Sequence, residues 1–292
     1  MTGICGIVGP DSPETSRLLE QILDGLGVRG VARRIVTRHA SGRLFAVGIC
    51  ERSPVISDGL VSNGNITVSL DGYFVDDALE RFADSNLNET ERAVAELSRH
   101  NGAHAMLAVG HDELVASRDP LGQKPLYNVS DPDSSIIAFA SLKTSLEILE
   151  IGEPLPFPPG RVISVGKGPA SVNDDNHLEN PEPQSLGVEV AVESLGSLLV
   201  ESVNRSVPDS GVGIAFSGGL DSTLVAQASI LAKKKVELFT VGLEGQAELS
   251  HAEKVADEIG LPLTTRELTK REVIDLVPDV VEITETSDPI IV

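Results

Sequence analysis

The sequence predicts an α+β unit followed by an α/β unit built on a doubly wound parallel sheet. Three observations carry that expectation: the length, a change of rhythm near residue 188, and a glycine-rich loop set between a strand and a helix. A chain of 292 residues exceeds the usual single-domain range of roughly 100–200, so two domains are expected. Hydrophobic residues make up 41% and charged residues 23%, which excludes a fibrous or largely disordered chain. Aromatic residues are only 3% with no Trp, so the core must be aliphatic and stacking platforms for single-stranded nucleic acid are not expected.

From Gly3 to about Ile163 short β segments lie between Gly, Asn, Asp and Ser clusters. They are Arg43–Cys50, Ile66–Leu70, Ala105–Val109, Glu113–Ser117 and Ile136–Ala140. Helical spacing marks Glu14–Leu26, Asp76–Ala83 and Thr90–Arg99, the last with Ala93, Val94 and Leu97 on one side. This is a pattern of sheets with a few helices. Gly166–Leu186 is polar and rich in Pro, Asn and Asp, and reads as a linker. Beyond it come helix Val188–Val207, strand Val212–Phe216, helix Ser222–Ala232, strand Val236–Val241, helix Leu249–Ile259, strand Leu263–Glu267 and helix Lys270–Val280. Such alternation predicts a parallel sheet. The expected boundaries are therefore a first domain over 1–165, a linker over 166–187 and a second domain over 188–292.

Net charge is −21, which opposes nonspecific binding to nucleic acid or an anionic membrane but allows a local phosphate site. Two cysteines, Cys5 and Cys50, are too few for a disulfide framework, and no basic region precedes an apolar stretch at the N-terminus. A cytosolic protein is expected. The six histidines show no metal-binding spacing. Arg33-Arg34 and Lys233-Lys234-Lys235 read as solvated basic patches, the lysines at a helix C-terminus where the dipole favours positive charge.

The residues richest in chemistry are Ser217-Gly218-Gly219-Leu220-Asp221-Ser222, directly after the strand Val212–Phe216. A strand that ends in Ser-Gly-Gly and turns into a helix gathers backbone N–H groups where the helix dipole favours an anion. The glycines allow close approach to phosphate and the serine hydroxyls add donors. Asp221 cannot bind phosphate directly, so its expected role is to hold a Mg²⁺ that bridges phosphate oxygens. No Lys-Ser/Thr pair follows the glycines, so this is not a Walker loop. A helix cap supplied by Asp221 or Ser222 is the plain structural alternative.

These residues carry a resemblance. Ser217–Ser222 matches the pyrophosphate-loop motif of ATP-pyrophosphatases, and with Phe239-Thr240-Val241-Gly242 one strand later it resembles the asparagine synthetase family. Cys5-Gly6-Ile7-Val8-Gly9 is similar to the start of a class II glutamine amidotransferase domain. Ser117-Arg118-Asp119-Pro120-Leu121-Gly122-Gln123-Lys124-Pro125-Leu126-Tyr127 resembles that family's Arg-Asp…Gly…Lys-Pro-Leu-Tyr stretch, and Pro158-Pro159-Gly160 its domain-crossing signal. Ala252–Leu268 is similar to the helix-strand unit after the loop. The resemblance implies an N-terminal-nucleophile-hydrolase-like first domain and an adenine-nucleotide-alpha-hydrolase-like second domain. It further implies a glutaminase that releases ammonia, and a synthetase site that converts a carboxylate such as aspartate, with ATP and Mg²⁺, to an acyl-adenylate that ammonia attacks. Adenylation gives a poor electrophile a leaving group, and the loop with Mg²⁺ stabilises the departing pyrophosphate. By the same carry-over Ser217, Gly218, Gly219, Asp221 and Ser222 bind pyrophosphate and metal, and Ala215 and Val241 meet the adenosine.

The resemblance also exposes departures in the glutaminase half. The family's cysteine is the first residue of the mature chain, its α-amino group acting as base near pKa ~7.7–8.0. Here Met1-Thr2-Gly3-Ile4 precede Cys5, which is catalytic only if exposed as the N-terminus; a buried small hydrophobe on a first strand is the other reading. Cys50, in an apolar strand, reads as core. Arg43 stands where the family binds the substrate carboxylate. Asp71-Gly72-Tyr73 stands where the family has Asn-Gly-Glu, and an ionised Asp71 cannot donate to an oxyanion. Tyr73 removes an acid expected at the substrate amine, a role left open for Glu89. A degenerate glutaminase, as in the related β-lactam synthetases, is therefore expected. The alternatives are an ammonia-dependent relative and a non-catalytic nucleotide-binding or scaffold protein. Because the family's synthetase domain continues beyond the position of Asp288-Pro289, a partner chain or homo-oligomer is expected to complete the cleft.

Overall fold

A computed structural model describes residues 2–51, 59–166, 171–173 and 185–286. The described residues form two compact units, one built on residues up to 173 and the other on 185–281, with 282–286 clustering with the first.

The first unit begins with β1 (Thr2–Pro10) and α1 (Pro13–Gly25). Helix α1 starts where the sequence supplies an N-cap: Ser12 Oγ accepts from Thr15 N–H at 3.3 Å and Pro13 takes the first helical position. Next come β2 (Ala32–Ala40) and β3 (Arg43–Glu51), joined by Ser41 and Gly42 at φ 55° and 73°. Two positive φ values in a two-residue loop match the right-handed twist of a hairpin. The chain continues through β4 (Leu60–Ser62), β5 (Thr67–Phe74), α2 (Ala78–Ala83), α3 (Thr90–Ser98), β6 (Gly102–Val109) and β7 (Leu114–Arg118). It closes with β8 (Tyr127–Asp131), β9 (Ile136–Ala140), α4 (Thr144–Glu147), β10 (Leu155–Pro156), β11 (Val162–Val165) and β12 (Ser171–Asn173).

These strands make two six-stranded sheets, in the orders β10-β8-β9-β1-β3-β2 and β12-β11-β7-β6-β5-β4. Alternation of side chains sorts the apolar residues into three layers. Ile4, Val8, Phe45 and Val47 of the first sheet meet Ala105, Leu107, Leu114 and Ala116 of the second between the sheets. Cys5, Ile7 and Ala46 pack outward beneath Leu18, Leu19 and Ile22 of α1. On the far side Val68, Leu70 and Met106 pack under Phe82 of α2 and Val94 and Leu97 of α3. The result is a four-layer α+β unit with helices outside two antiparallel sheets.

Strand β2 was not marked by hydrophobic alternation. It is a sheet edge carrying Arg33, Arg34, Arg38 and His39, the charge pattern that keeps an edge from pairing with another chain. Arg33-Arg34 is thus not a loose basic patch: Arg33 pairs with Asp24 at 2.5 Å and Arg34 with the buried Glu51 at 2.8 Å. The stretch expected as linker includes β12, which pairs with β11; the rest of that expectation, at 167–170 and 174–184, lies outside the described residues, as do the chain's last residues, 287–292.

The second unit comprises α5 (Val188–Ser206), β13 (Val212–Ala215), α6 (Leu220–Leu231), β14 (Val236–Leu243), α7 (Ala247–Ile259) and β15 (Leu263–Leu268). It is followed by α8 (Lys270–Thr284), which runs past Val280 and contains Pro278. The strands are parallel in the order β13-β14-β15. Ile214, Phe216 and Leu238 pack against Ala226 of α6 and Ala252 and Ala256 of α7, so both crossover helices lie on one face. That follows from right-handed crossovers that keep moving the same way across a sheet. Gly213, Ala215, Phe239 and Val241 on the opposite face are exposed.

Candidate functional site

The candidate site is the turn from β13 into α6. Phe216 is buried and its N–H bonds to Phe239 O at 2.7 Å, holding the end of β13 against β14. The chain then reverses through Gly218 at φ 71°, a left-handed conformation that suits glycine. A Cβ there would also stand 3.0 Å from His251 Cδ2 and 3.1 Å from Ala252 Cα of α7. Two constraints therefore demand glycine at this position.

Helix α6 starts with Gly219 as N-cap and no side-chain cap, so neither Asp221 nor Ser222 serves as the cap that the structural alternative required. The serines instead brace the turn. Ser217 Oγ lies 3.2 Å from Ser222 Oγ, Gly219 N–H donates to Ser217 Oγ at 3.2 Å, and Ser222 Oγ donates to Gly219 O at 3.3 Å. Among the described residues, the N–H groups of Gly218, Leu220, Asp221 and Ser222 have no acceptor. Four open donors at the positive end of a helix form a cradle for an anion. Asp221, exposed in the first turn, is the acceptor-only group beside them, suited to a divalent cation that phosphate oxygens and water would complete.

Ala215 ends β13 and Val241 lies in β14; Ala215 pairs with Phe239. Both are on the exposed face, two residues and one strand apart, roughly 8 Å between Cα atoms from strand spacing and rise. A groove of about 850 Å³ lined by Val192, Gly196, Val200 and Leu231 is at the other end of α6, about 18 Å from the loop for twelve helical residues.

The first unit distributes its expected residues differently. Cys5 is fully buried in β1 between Gly48 of β3 and Ala140 of β9. Burial, and then the neighbouring Cys50, push its thiol far above the usual range, so the thiolate needed for nucleophilic attack is disfavoured. Cys50 is core as well. Arg43 pairs with Pro10, five residues from the row of Cys5, or ~17 Å along the strand. Its guanidinium donates to Gly166 O at 2.7 Å and lies over the Phe45 ring.

Asp71 is buried and pairs with Ala105 of β6. Burial raises its carboxyl pKa, while Lys124, with Nζ at 3.4 Å, and Arg29 pull it back. Gly72 is fixed by packing: a Cβ would sit 1.9 Å from Ala103 O. Tyr73 is half exposed. Glu89 precedes α3 beside Thr90, whose Oγ1 faces Gly110. Since Gly110 lies just past the end of β6 and five residues beyond Ala105, Thr90 and the neighbouring Glu89 are displaced by ~17 Å along the strand from the row of Asp71. Arg43 is therefore remote from Cys5 and Glu89 from Asp71, whereas Ser69, two residues before Asp71, donates its Oγ–H to the carbonyl of Gly48, the partner of Cys5.

The stretch that contains Lys124 carries the resemblance in the sequence, but nothing there assigns Lys124 or its supports a place at a site. Asp119, fully buried, accepts N–H bonds from His104, Leu121, Gln123 and Lys124 at 3.0–3.3 Å. Arg118 donates to the carbonyls of Lys124, Gly122 and Phe157 at 2.6–2.8 Å. The Arg-Asp…Gly…Lys stretch is a clamp that delivers Lys124 to Asp71.

Residues 194–292 match the family model described as asparagine synthase. A probable asparagine synthetase (glutamine-hydrolyzing) of Dictyostelium discoideum is 30% identical over 206 residues, covering 61% of this chain and 35% of that protein. The chain is similar to the asparagine synthetase family over these residues. An asparagine synthetase (glutamine-hydrolyzing) of Arabidopsis thaliana is 27% identical over 64% of this chain and 33% of its own length. The chain thus spans about a third of the length of the curated relatives it matches. Among solved structures, a glutamine phosphoribosylpyrophosphate amidotransferase from B. subtilis aligns with 90% of the chain at a TM-score of 0.48 and 14% identity. No helix among the described residues is long and apolar enough to cross a membrane.

Proposed function

We propose that this chain is the ATP-binding part of an amide-forming ligase that activates a carboxylate as its acyl-adenylate and releases AMP and pyrophosphate. The observation that carries the proposal is the cradle of four open N–H groups at the start of α6, with Asp221 beside it, in a stretch similar to asparagine synthase. The N–H groups would hold the β- and γ-phosphates, and the Ser217 and Ser222 hydroxyls would add donors by turning their O–H groups from the bonds within the turn. Asp221 would hold Mg²⁺, which, when bound, neutralises charge gathering on the leaving pyrophosphate. Ala215, at the end of β13, and Val241, towards the carboxyl end of β14, would present the small apolar surface on which adenosine would lie, since ligands of parallel sheets bind at the strands' carboxyl ends. Aspartate is the carboxylate suggested by the relatives' names.

Ammonia, free or delivered by another protein, is favoured as the nitrogen source over glutamine hydrolysed at Cys5, because that thiol is fully buried in a sheet. The buried, lysine-paired Asp71 supports the same reading. In the ligase, a partner chain or a further segment would position the carboxylate.

Isothermal titration of Mg·ATP into the chain and its Asp221→Ala variant tests the loop. Binding by the wild type and a loss of about tenfold or more in the variant are expected, the scale of a charge-assisted contact. Equal binding by both, or none by either at millimolar ATP, would sink the assignment. Ammonia release from glutamine should be absent and indifferent to Cys5→Ala.

A further inference from the structure

We propose that His251 is a positioning residue that latches the Gly218–Gly219 peptide so that the anion cradle keeps its donors pointed outward. The inference rests on the phosphate-binding reading of Ser217–Ser222. His251 lies in α7, 33 residues from Gly218 in sequence, and its Nε2 is 3.2 Å from Gly218 O. A carbonyl can only accept, so Nε2 must carry a proton, which in the neutral ring is the Nε2–H tautomer.

A trans peptide points its C=O and N–H in opposite directions. With Gly218 O tied to α7, the N–H of Gly219 is turned the other way, where it donates to Ser217 Oγ at 3.2 Å. The peptide is thereby clamped at both ends. Such a clamp has work to do at this position. Both flanking residues are glycines, with no Cβ to resist rotation of the peptide between them, and Gly218 already sits at φ 71°. A flip of that peptide would swing the carbonyl oxygen towards Ser217 Oγ and Ser222 Oγ. It would put an acceptor where an incoming phosphate oxygen needs a donor. His251 is exposed and fills no core position, so its contact with the loop is the interaction that its side chain adds.

The test uses the full chain with inorganic pyrophosphate and Mg²⁺ as the probe, in wild type, His251→Ala, His251→Gln and Asp221→Ala. The glutamine amide reaches about as far as Nε2 and can donate the same bond. Expected results are a loss of about tenfold in pyrophosphate affinity for His251→Ala, the scale of one hydrogen bond, recovery to within about threefold for His251→Gln, and unchanged thermal midpoints. Imidazole nitrogen chemical shifts of the free protein should report the Nε2–H tautomer. Wild-type affinity in His251→Ala alongside a loss in Asp221→Ala overturns the latch and leaves the phosphate site standing. So does an Nδ1–H tautomer, or failure of the glutamine variant to recover affinity. If the wild type itself does not bind pyrophosphate, the phosphate-site reading falls, and with it the latch's purpose; the tautomer then decides only whether the bond to Gly218 exists.

Discussion

Asp119 concentrates more of the first unit's local order than any residue of the expected glutamine pocket. Its two oxygens take four backbone N–H groups: Oδ1 those of Leu121 and Gln123, Oδ2 those of His104 and Lys124. An asparagine fills the same space but offers one acceptor, and its NH₂ must face two donors. Asp119→Asn should therefore lower stability by about 3 kcal/mol, the scale of two charge-assisted bonds in a buried site. Urea denaturation measures it; a change within error of zero would mean that the loop does not depend on the carboxylate.

His104 has the opposite character. It is fully buried against the Phe74 ring, 5.1 Å between centroids, and neither ring nitrogen has a partner among the described residues. Burial, only partly offset by Asp119, lowers its pKa to about 4 from 6.5. In the unfolded chain the imidazole titrates at its ordinary value, so between those two pH values the unfolded state binds a proton that the folded state refuses. Stability from this group is complete above pH 6.5 and declines as pH falls, by about 3 kcal/mol at the acid end of the window. Replacing His104 with Leu should flatten that part of the stability–pH curve. An unaltered slope in the variant would assign the acid sensitivity elsewhere.

At the scale of the elements, the turn between β13 and α6 makes the sharpest demand. Gly218→Ala must hold a left-handed φ of 71° with a Cβ 3.1 Å from the α7 backbone, a strain on the order of 1–3 kcal/mol. Because the turn is on the surface of its unit, the strain should distort the loop before it unfolds the strands. Pyrophosphate binding is expected to be lost while circular dichroism is kept; retained affinity would show that the turn tolerates another geometry.

This same turn explains what the sequence made legible. Strand, glycine pair and helix are local and periodic, so β13 to β15 and the helices between them are read within a few residues of their ends. Strand β2 is not periodic in that way, because its polar residues are edge residues; the Ser41-Gly42 turn was the available signal. His251 could not be found, since its partner is 33 residues away and a lone histidine on a polar helix face carries no pattern. Two of the residues expected at the glutamine pocket, Arg43 and Glu89, lie away from the others for a related reason. Arg43, Asp71 and Glu89 were placed by likeness to other sequences, whereas their positions depend on which end of each strand they occupy.

Over the whole molecule the two units carry unequal cores. The first holds three apolar layers; the second has six buried residues in its main cluster, three of them alanines. Buried apolar area sets the scale of stability at roughly 25 cal/mol per Å², so the second unit should open first. Hydrogen exchange is expected to show lower protection in β13–β15 than in β1, β3 and β6. A ligand of the loop should raise the protection of the second unit alone. Equal protection in both units, or a ligand effect spread across both, would contradict this division.

The interior place of β1 also sets an order of events in time. Its two neighbours are β3 and β9, and Ile4 N–H closes on Ser141 Oγ across 137 residues. A ribosome adding ~5–20 residues each second leaves β1 with one flank open for about ten seconds before β9 emerges, its apolar Ile4, Ile7 and Val8 incompletely covered. The strands of the second unit meet no such delay, since each parallel neighbour follows after a single helix. In the cell, then, the sturdier half of this protein is the half that most needs shelter while it is being made.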